Sequence, residues 1–401
     1  MKRSIYDTSL LPPLPPLSQS ETDILFSKAN VDKLYNLPSK IVYCSACVMS
    51  NQRPRIAFDA NGLCNPCKYW LKKSTAIDWT SREASFADLC DKYRAKDGSF
   101  DVLVPSSGGK DSSYVAYMLK DRYGMNPLTV TWAPALPTEI GFQNFHSHIQ
   151  HGLNNVMATA DGLVHRRLCR SSTILLGDPF QPFIYGQVNL PLRIARAYDI
   201  GLIVDGENGE VEYGGEDSTE DLVGFSQAES EVFWQSGMDV TQWLNYGFTP
   251  RDLNFYMPPP KGVNVQRVFF SYYHNWRPHD HFYYVSEKAG FHSNPSRSEG
   301  TYSRYASLDD AIDPFHYYFG LLKFGIGRAT SDAAHEIRES VISRDEGLAL
   351  VKKFDRTSPS SETTSLFLKY SSLSPSQLVS ACERWTNNRI WSATLPPQIN
   401  F

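Results

Sequence analysis

The feature that most constrains the fold is a short motif, SGGKDS at residues 107–112, that joins an apolar segment to a helical one. The apolar segment DVLVP (101–105) predicts a buried strand, and residues 112–123 predict a helix because apolar side chains recur at helical spacing. Adjacent glycines let the backbone approach an anion without a Cβ clash, and a helix N-terminus carries about half a positive charge. A strand, a glycine turn and a helix start therefore predict a phosphate-binding loop.

Two further strands extend this pattern into an α/β domain. PLTVTW (127–132) predicts a second strand, and GLIVDG (201–206) predicts a third, preceded by a helix around residues 190–198. Strands that alternate with helices predict a parallel, doubly wound sheet, whose ligands bind at the carboxyl ends of the strands.

Two common nucleotide motifs are excluded by the spacing. Lys110 is followed by Asp111 rather than by Ser or Thr, and the glycine spacing of a Walker A loop is absent. The loop is not GxGxxG either, so neither γ-phosphate transfer nor dinucleotide binding is favoured.

Four of the seven cysteines form two close pairs, Cys44-x2-Cys47 and Cys64-x2-Cys67, separated by sixteen residues. This spacing lets two turns close a tetrahedral thiolate cage around zinc. Because protein ligands fill all four positions, we expect a structural site. The alternatives are a pair of redox-active CxxC motifs or a spacing that arises by chance.

Composition limits the remaining classes of function. The net charge of −4 and pI near 6.2 lack the broad cationic field of a tight nucleic-acid binder, so nucleic acid is not an expected partner. No apolar run reaches the roughly 18 residues of a membrane span, and the N-terminus lacks a signal-peptide core. We therefore expect a cytoplasmic protein without a membrane partner.

The chain divides into five predicted regions: a Pro-rich arm (1–40), a zinc-binding module (41–75), a connecting helix (76–99), an ATP-binding domain (100–215) and a mixed, mainly helical C-terminal region (216–401). Proline opposes regular structure in the arm. Within the later regions, residues 217–243 look helical and acidic, and residues 358–376 look like a serine-rich connection.

The motif resembles the SGGxDS signature of the PP-loop ATP pyrophosphatases, over about residues 100–215. This resemblance implies a Rossmann-like fold that grips the two outer phosphates of ATP as a leaving pyrophosphate. It implies that pyrophosphate is held by Ser107, Gly108, Gly109 and Ser112. Lys110 would add positive charge, and Asp111 would cap the helix or help place Mg²⁺.

Three further segments, at 179–195, 206–215 and 323–338, resemble the N-acetyl sugar amidotransferases of the WbpG and PseA type, which act in bacterial surface-polysaccharide and nonulosonic-acid synthesis. That resemblance runs from about residue 44 to residue 355. It implies an enzyme that converts the acetamido group of a sugar or nucleotide sugar into an acetamidino group. The reaction uses ATP and ammonia, passes through an O-adenylyl imidate and releases AMP and pyrophosphate.

Polar residues after the third strand are further candidates. Glu207 is a catalytic candidate, and Asn208 and Glu210 could bind the substrate, although helix capping explains them equally well. Arg166 and Arg170 could bind a nucleotide-sugar diphosphate, or they could form a solvated helix face.

Weaker candidates lie elsewhere in the chain. Arg328 follows two glycines and could reach a phosphate, or the glycines could only turn the chain. His279 and His281 could bind a metal, but isolated histidines are more often surface or packed residues. Tyr185, Gln187 and Asn189 alternate as in a strand and could face the substrate.

The chain shows no glutaminase motif, because position 2 is Lys and no cysteine lies in a G-x-C-x-G elbow. By resemblance, ammonia would come from a separate glutaminase subunit, with a cyclase-like synthase as a possible companion. One alternative is a tRNA thiolation enzyme that uses Cys169, which lies between two arginines. The other is a non-catalytic scaffold that contains zinc.

Overall fold

The computed structural model describes residues 4–224, 238–259, 264–399 and 401. In this part of the chain a five-stranded sheet has the order β3-β2-β1-β4-β5, and each neighbouring pair is parallel. The strands are β1 (Val102–Pro105), β2 (Pro127–Trp132), β3 (Asn154–Ala158), β4 (Leu202–Asp205) and β5 (Gln266–Phe269).

Helices surround the sheet and make up most of the C-terminal region. Numbered in chain order among the described residues, they are α1 (Gln19–Leu25), α2 (Val31–Leu34), α3 (Asn65–Thr75), α4 (Trp79–Tyr93), α5 (Lys110–Tyr117), α6 (Glu139–Gln150), α7 (Gly162–Leu176), α8 (Gln181–Ala197), α9 (Gly209–Tyr213), α10 (Pro250–Leu253), α11 (Phe270–Tyr273), α12 (Pro278–Lys288), α13 (Asp313–Phe324), α14 (Arg328–Arg338), α15 (Arg344–Phe354), α16 (Ser361–Ser371) and α17 (Pro375–Trp385).

The strand order places a switch point between β1 and β4. Each strand from β1 to β3 lies further to one side, and the chain then crosses back to place β4 beside β1. In a doubly wound sheet the segments that follow such a pair diverge and open a crevice. The predicted fold class, a Rossmann-like parallel sheet with an N-terminal cysteine module and a mainly helical C-terminal region, is confirmed.

Helices cover both faces of the sheet, and alternate residues of one strand belong to different cores. Val102 and Val104 of β1 pack in the cluster that includes Val115 of α5, whereas Leu103 packs in the cluster that includes Leu190 of α8. The alternation follows from the two-residue side-chain period of a strand. It explains why β1, β2 and β4 were predictable as apolar runs.

The two edge strands, β3 and β5, were not predicted. β3 has the polar sequence NNVMA and is partly exposed, and β5, with the sequence QRVF, begins with two polar residues. Polar edge strands lack the continuous apolar run that marks a buried parallel strand.

The alternation of Tyr185, Gln187 and Asn189 predicts a strand, and this prediction is wrong because these residues lie in α8. Tyr185, Val188 and Asn189 are buried on one side of the helix, at spacings of three and four. A five-residue window was too short to distinguish the two periods.

The N-terminal arm is more regular than predicted. Its proline cluster is irregular, but Ser18 and Glu21 form a capping box that starts α1. Leu25 and Val31 pack against Phe367 and Trp385 near the other end of the chain. This burial explains why the arm folds despite its prolines.

The serine-rich connection predicted over 358–376 was also wrong, because it contains α16. Ser360 caps the helix, and Thr363, Phe367 and Tyr370 form a buried face at spacings of four and three. Here serine acts as a helix cap.

The helix predicted over 217–243 is not found in the described part of that range. Asp217–Thr219 and Val240–Tyr246 form 3-10 turns, and residues 225–237 lie outside the described residues. Buried Val240 and Trp243 are three residues apart, which fits the period of a 3-10 turn. Across the ranges that the structure describes, none of the helices has both the length and the apolar character that crossing a bilayer requires.

Candidate active site at the switch point of the sheet

A cleft of about 370 Å³ opens at the carboxyl ends of β1 and β4. It is lined by residues 107–112 after β1 and by residues 205–207 after β4. A third wall, residues 305–309, comes from the segment before α13. The cleft therefore occupies the crevice that the strand order predicts.

The two glycines of the loop have different structural roles. Gly108 has φ of +83°, and a Cβ atom there would lie 2.8 Å from Cα of Phe145 in α6. Gly109 has φ of −68°, and a Cβ atom there would meet nothing closer than Oγ of Ser107 at 3.6 Å. The fold thus requires glycine at 108. At 109 the fold would accept a side chain, and its absence leaves space in front of the loop.

The start of α5 faces this space. Gly109 is the N-cap residue, and no side chain among the described residues caps the helix there. Hydroxyl groups surround the turn: Ser106 Oγ donates to Ser112 Oγ over 2.9 Å. Free N–H groups at a helix start, with hydroxyls beside them, can bind a phosphate.

Asp111 in the first turn of α5 remains ionised. Its carboxylate pairs with Lys110 and accepts a hydrogen bond from His281 Nδ1 over 2.9 Å. Burial opposes the charge on Asp111, but Lys110 and His281 outweigh burial and hold the pKa below its ordinary value. The sequence favours a surface or packed position for His281 over a metal site. It is buried in α12, with its ring stacked on Tyr114 at 4.1 Å.

Glu207 has the opposite electrostatic environment. It follows β4 and lines the same cleft. Burial, reinforced by the negative charge of Asp111, raises the pKa of Glu207 to about 7. Two carboxyl groups with pKa values moved apart can have different chemical roles, one charged throughout and one exchanging a proton near neutral pH.

Asn208 and Glu210 do not line the cleft; they hold the backbone behind it. Asn208 Oδ1 caps α9 by accepting from the N–H of Glu210 over 3.1 Å. Glu210 accepts two hydrogen bonds from Arg55 of the cysteine module, at 3.0 and 2.5 Å. The structure therefore uses Asn208 as a helix cap, as the capping alternative describes, whereas Glu210 forms an ion pair within the protein.

Arg166 and Arg170 also lie outside the cleft, on α7. Arg166 donates to the carbonyls of Pro12 and Tyr370, each over 2.7 Å, and Arg170 donates to the carbonyl of Pro15 over 2.7 Å. These arginines hold the N-terminal arm, and neither takes part in the site that we propose.

Several cleft residues come from parts of the chain that sequence analysis did not link to the loop. Arg267 of β5 makes a bidentate pair with Asp205, at 2.5 and 2.8 Å. Asp309 lines the same cleft as Ser107 of the loop. Lys110 Nζ lies 5.8 Å from the ring centre of Tyr305. Only long-range folding brings these groups to the loop, so no local pattern could have indicated them.

Arg328 lines the cleft. Of its two alternatives, this position fits a residue that could reach a phosphate. Its Nε donates to Asp332 over 2.9 Å, and its Nη1 donates to the hydroxyl of Tyr317. These contacts fix the guanidinium at the start of α14. An arginine held in this way is pre-organised for an anion.

A second cavity of about 140 Å³ adjoins the cleft behind the loop. Ser107 and Ser112 border both spaces, and Trp132 and Phe183 supply aromatic surface to the smaller one. The two spaces therefore share part of their lining at the loop.

The four cysteines of the predicted zinc module converge. The Sγ atoms of Cys44 and Cys67 are 3.8 Å apart, those of Cys47 and Cys64 are 3.7 Å apart, and all four lie within 4.8 Å of one another. A tetrahedral zinc ion with Zn–S bonds of about 2.3 Å separates its sulfurs by about 3.8 Å. The donor set and the spacing are compatible with zinc.

The remaining thiols do not form a reactive centre in the described structure. Cys169 is buried in the apolar cluster below α13, and burial raises the pKa of its thiol. Cys90 and Cys382 are buried too, and burial raises the pKa of Cys90 to about 12. A thiolation enzyme needs an accessible thiolate, and these environments oppose one.

Comparisons with known proteins identify the C-terminal region. Residues 299–398 match the family described as "LPS biosynthesis protein WbpG-like, C-terminal domain". The resemblance proposed from the sequence is thereby confirmed for this region, which supplies residues 305–309 and Arg328 to the cleft. A comparison with curated proteins gives no match.

Among solved structures, the chain is similar to the NH3-dependent NAD synthetase from Campylobacter jejuni subsp. jejuni NCTC 11168, determined in complex with the nitrate ion. The sequences are 14% identical, the match covers 45% of this chain and 92% of the other, and the TM-score is 0.29. At that TM-score the likeness adds nothing to the fold assignment, which rests on the order and direction of the strands.

Proposed function

We propose that this chain, whose residues 299–398 match the WbpG-like C-terminal domain family, is an ATP-dependent N-acetyl sugar amidotransferase of bacterial surface-polysaccharide synthesis. The observation that supports this most is the shared cleft. The phosphate loop opens into it, and the WbpG-like domain closes it with residues 305–309 and Arg328. A nucleotide and a sugar acceptor would therefore meet in one space.

The loop would bind ATP through its outer phosphates. Ser107, Gly108, Gly109 and Ser112 would hold the pyrophosphate part, and the base would enter the cavity beside Trp132 and Phe183. Asp111, ionised and next to the loop, is the residue that would hold Mg²⁺. Bound Mg²⁺ would neutralise negative charge on the leaving pyrophosphate.

In the first step, the carbonyl oxygen of the acetamido group attacks the α-phosphorus of ATP. A new P–O bond forms, the bond to the β-phosphate oxygen breaks, and pyrophosphate leaves. Lys110 and the oriented N–H groups of the loop stabilise the charge on pyrophosphate, which is the largest contribution in many such sites. The product is an O-adenylyl imidate that keeps the amide proton on its nitrogen and is therefore cationic there.

In the second step, ammonia adds to the imidate carbon, and the C–O bond to AMP then breaks. Glu207, with a pKa of about 7, accepts the proton that ammonia loses. The acetamido group becomes acetamidino, and AMP leaves. We further propose that a separate glutaminase subunit supplies the ammonia.

The test is incubation of the full chain with ATP, Mg²⁺, ammonium and a panel of acetamido sugars and nucleotide sugars. We expect AMP and pyrophosphate in equal amounts and a sugar lighter by the difference between O and NH. Release of ADP would contradict adenylation. A sugar-independent reaction, or a product heavier by the difference between S and O, would contradict the proposed acceptor chemistry.

A further inference from the structure

Lys73 is a buried cation that links the cysteine module to the site. It lies on α3, six residues after Cys67. Its Nζ lies 2.6 Å from Oε1 of Glu212 and donates to the carbonyl of Trp276 over 3.1 Å. The side chains of Lys73 and Glu212 are only 1% and 6% exposed. Such burial carries a desolvation cost, so this pair is not an incidental surface contact.

The bond from Lys73 to Glu212 reaches the segment that carries Glu207. Glu212 belongs to α9, which begins at Gly209, two residues after Glu207. The same module holds this segment at a second point, where Arg53 donates to the carbonyl of Gly214 over 2.6 Å. The cysteine module therefore fixes the chain just beyond Glu207.

The bond from Lys73 to Trp276 reaches Asp111. The indole of Trp276 meets the ring of His281 edge-on, with ring centres 4.3 Å apart, and His281 donates to Asp111. The indole also lies against Gly206, where a Cβ atom would be 3.0 Å from it. The Trp276 ring thus touches both sides of the cleft, next to Glu207 and next to the partner of Asp111.

We propose that Lys73 is a positioning residue, through which the metal-bound cysteine module sets the relative placement of Asp111 and Glu207. The catalytic consequence of this placement rests on the proposed function. The contacts of Lys73 with Glu212 and Trp276 are independent of that function. Cys64 is the N-cap of α3 and Cys67 lies in its first turn, so a metal bound by both would fix the helix that carries Lys73.

The chain offers a matched control on the same helix. Lys72 pairs with Glu220 at 2.5 Å and with Asp221 at 3.0 Å, but its side chain is 35% exposed. Like Lys73 it joins α3 to the segment after β4, but its hydrogen bonds do not reach Trp276. Lys72→Met therefore removes a similar charge without removing the proposed link.

Two variants separate positioning from stability. Lys73→Met leaves Glu212 buried without its cation, so it lowers stability for that reason alone. The double variant Lys73→Met/Glu212→Gln removes the unpaired charge, so we expect its Tm to recover most of the loss. We expect kcat to remain low in both variants, on the order of 10²-fold below the unmodified protein, because small misplacements of reacting groups are costly.

The KM for ATP should change by less than about threefold in the double variant, because the hydroxyls and N–H groups of the loop are untouched. Lys72→Met should keep kcat within about twofold, as exposed pairs contribute little. Recovery of kcat together with Tm in the double variant would overturn the proposal, because Lys73 would then be merely structural.

Hydrogen–deuterium exchange on the full-length protein gives a measurement that needs no acceptor. We expect faster exchange in residues 206–213 and 270–281 after Lys73→Met/Glu212→Gln, and also after removal of the metal by a chelator, with β2 unchanged as internal reference. Unchanged exchange in both segments would overturn the proposal. If no acetamido sugar yields AMP, the proposed function fails, and exchange alone then decides the role of Lys73.

Discussion

The four-cysteine module and the cleft are both built on short turns, but one is closed and the other is open. In the module, the cysteine side chains are at most 5% exposed and their sulfurs point at one another. In the cleft, Gly109 and the uncapped start of α5 face a space of about 370 Å³. Closed coordination typifies structural metal sites, whereas an open position typifies a ligand site. The comparison indicates that the module, with its four sulfurs turned inward, stabilises structure, whereas the cleft leaves room for a ligand.

The largest expected effect comes from opening the closed site. Cys47→Ser removes one of four ligands. A structural zinc site contributes about 10–16 kcal/mol to the folding of a small module. This contribution is comparable with the whole free energy of unfolding of a typical domain, about 5–15 kcal/mol. We expect loss of bound zinc and of the cooperative unfolding transition, measured by elemental analysis and circular dichroism.

The control for this variant is Cys90→Ala, which alters a buried cysteine outside the cluster. It should cost only about 1 kcal/mol and keep the metal. Full zinc content and an unchanged transition in Cys47→Ser would show that the module does not depend on four thiolates.

The next effect concerns Glu207, the proposed proton acceptor in the open site. Glu207→Gln should lower kcat by about 10²–10⁴-fold, the usual contribution of a general base. Since a carboxyl with a pKa of about 7 is protonated below that pH, kcat of the unmodified enzyme should rise as the pH increases through 7. The Gln variant should lack this rise in its pH–rate profile.

The pKa of Glu207 also predicts the pH dependence of stability. Because the folded pKa is raised from 4.5 to about 7, the neutral carboxyl favours the folded state, and this contribution is lost as the pH rises from 4.5 through 7. Between pH 4.5 and 7, the Tm of the unmodified protein should therefore fall more than the Tm of Glu207→Gln. An identical pH profile in the variant would mean that another group titrates.

The two adjacent glycines give a smaller and sharper test. Gly108→Ala should cost at least about 1–3 kcal/mol, because its φ is positive and its Cβ would clash with α6. Gly109→Ala should leave Tm nearly unchanged but raise the KM for ATP, because the new methyl group lies where phosphate is expected. Thermal unfolding and steady-state kinetics on both variants test this assignment, and the reverse pattern would contradict it.

The smallest effect is expected behind the cleft. Asn208→Ala removes the cap of α9 and should cost about 1 kcal/mol, with the KM for the sugar unchanged. A large increase in that KM, with normal stability, would instead assign Asn208 to substrate binding. Paired unfolding and kinetic measurements distinguish these results.

How far the sequence predicts this structure depends on how local the signal is. The glycine turn between β1 and α5, the cysteine module and strands β1, β2 and β4 were predictable, because each follows from adjacent residues or from a continuous apolar run. The contributions of Asp309 and Arg267 were not, since the loop and these residues meet only across the folded chain.

The same limit explains the polar residues whose surroundings the sequence could not show. Glu210 and Arg166 are of the types that bind sugars and phosphates, but each found a partner within the protein, Arg55 in one case and backbone carbonyls in the other. Residue type indicates the available chemistry. Only the fold determines whether a ligand or the protein itself uses it.

The most direct test of the central claim is to follow the acetamido oxygen. With an acceptor labelled with ¹⁸O at the acetamido carbonyl, phosphorus NMR and mass spectrometry of the nucleotide product determine where that oxygen goes. If the cleft joins the amide oxygen to the α-phosphorus, the label appears in AMP. Label in inorganic phosphate or in released water, with none in AMP, would contradict adenylation at the loop.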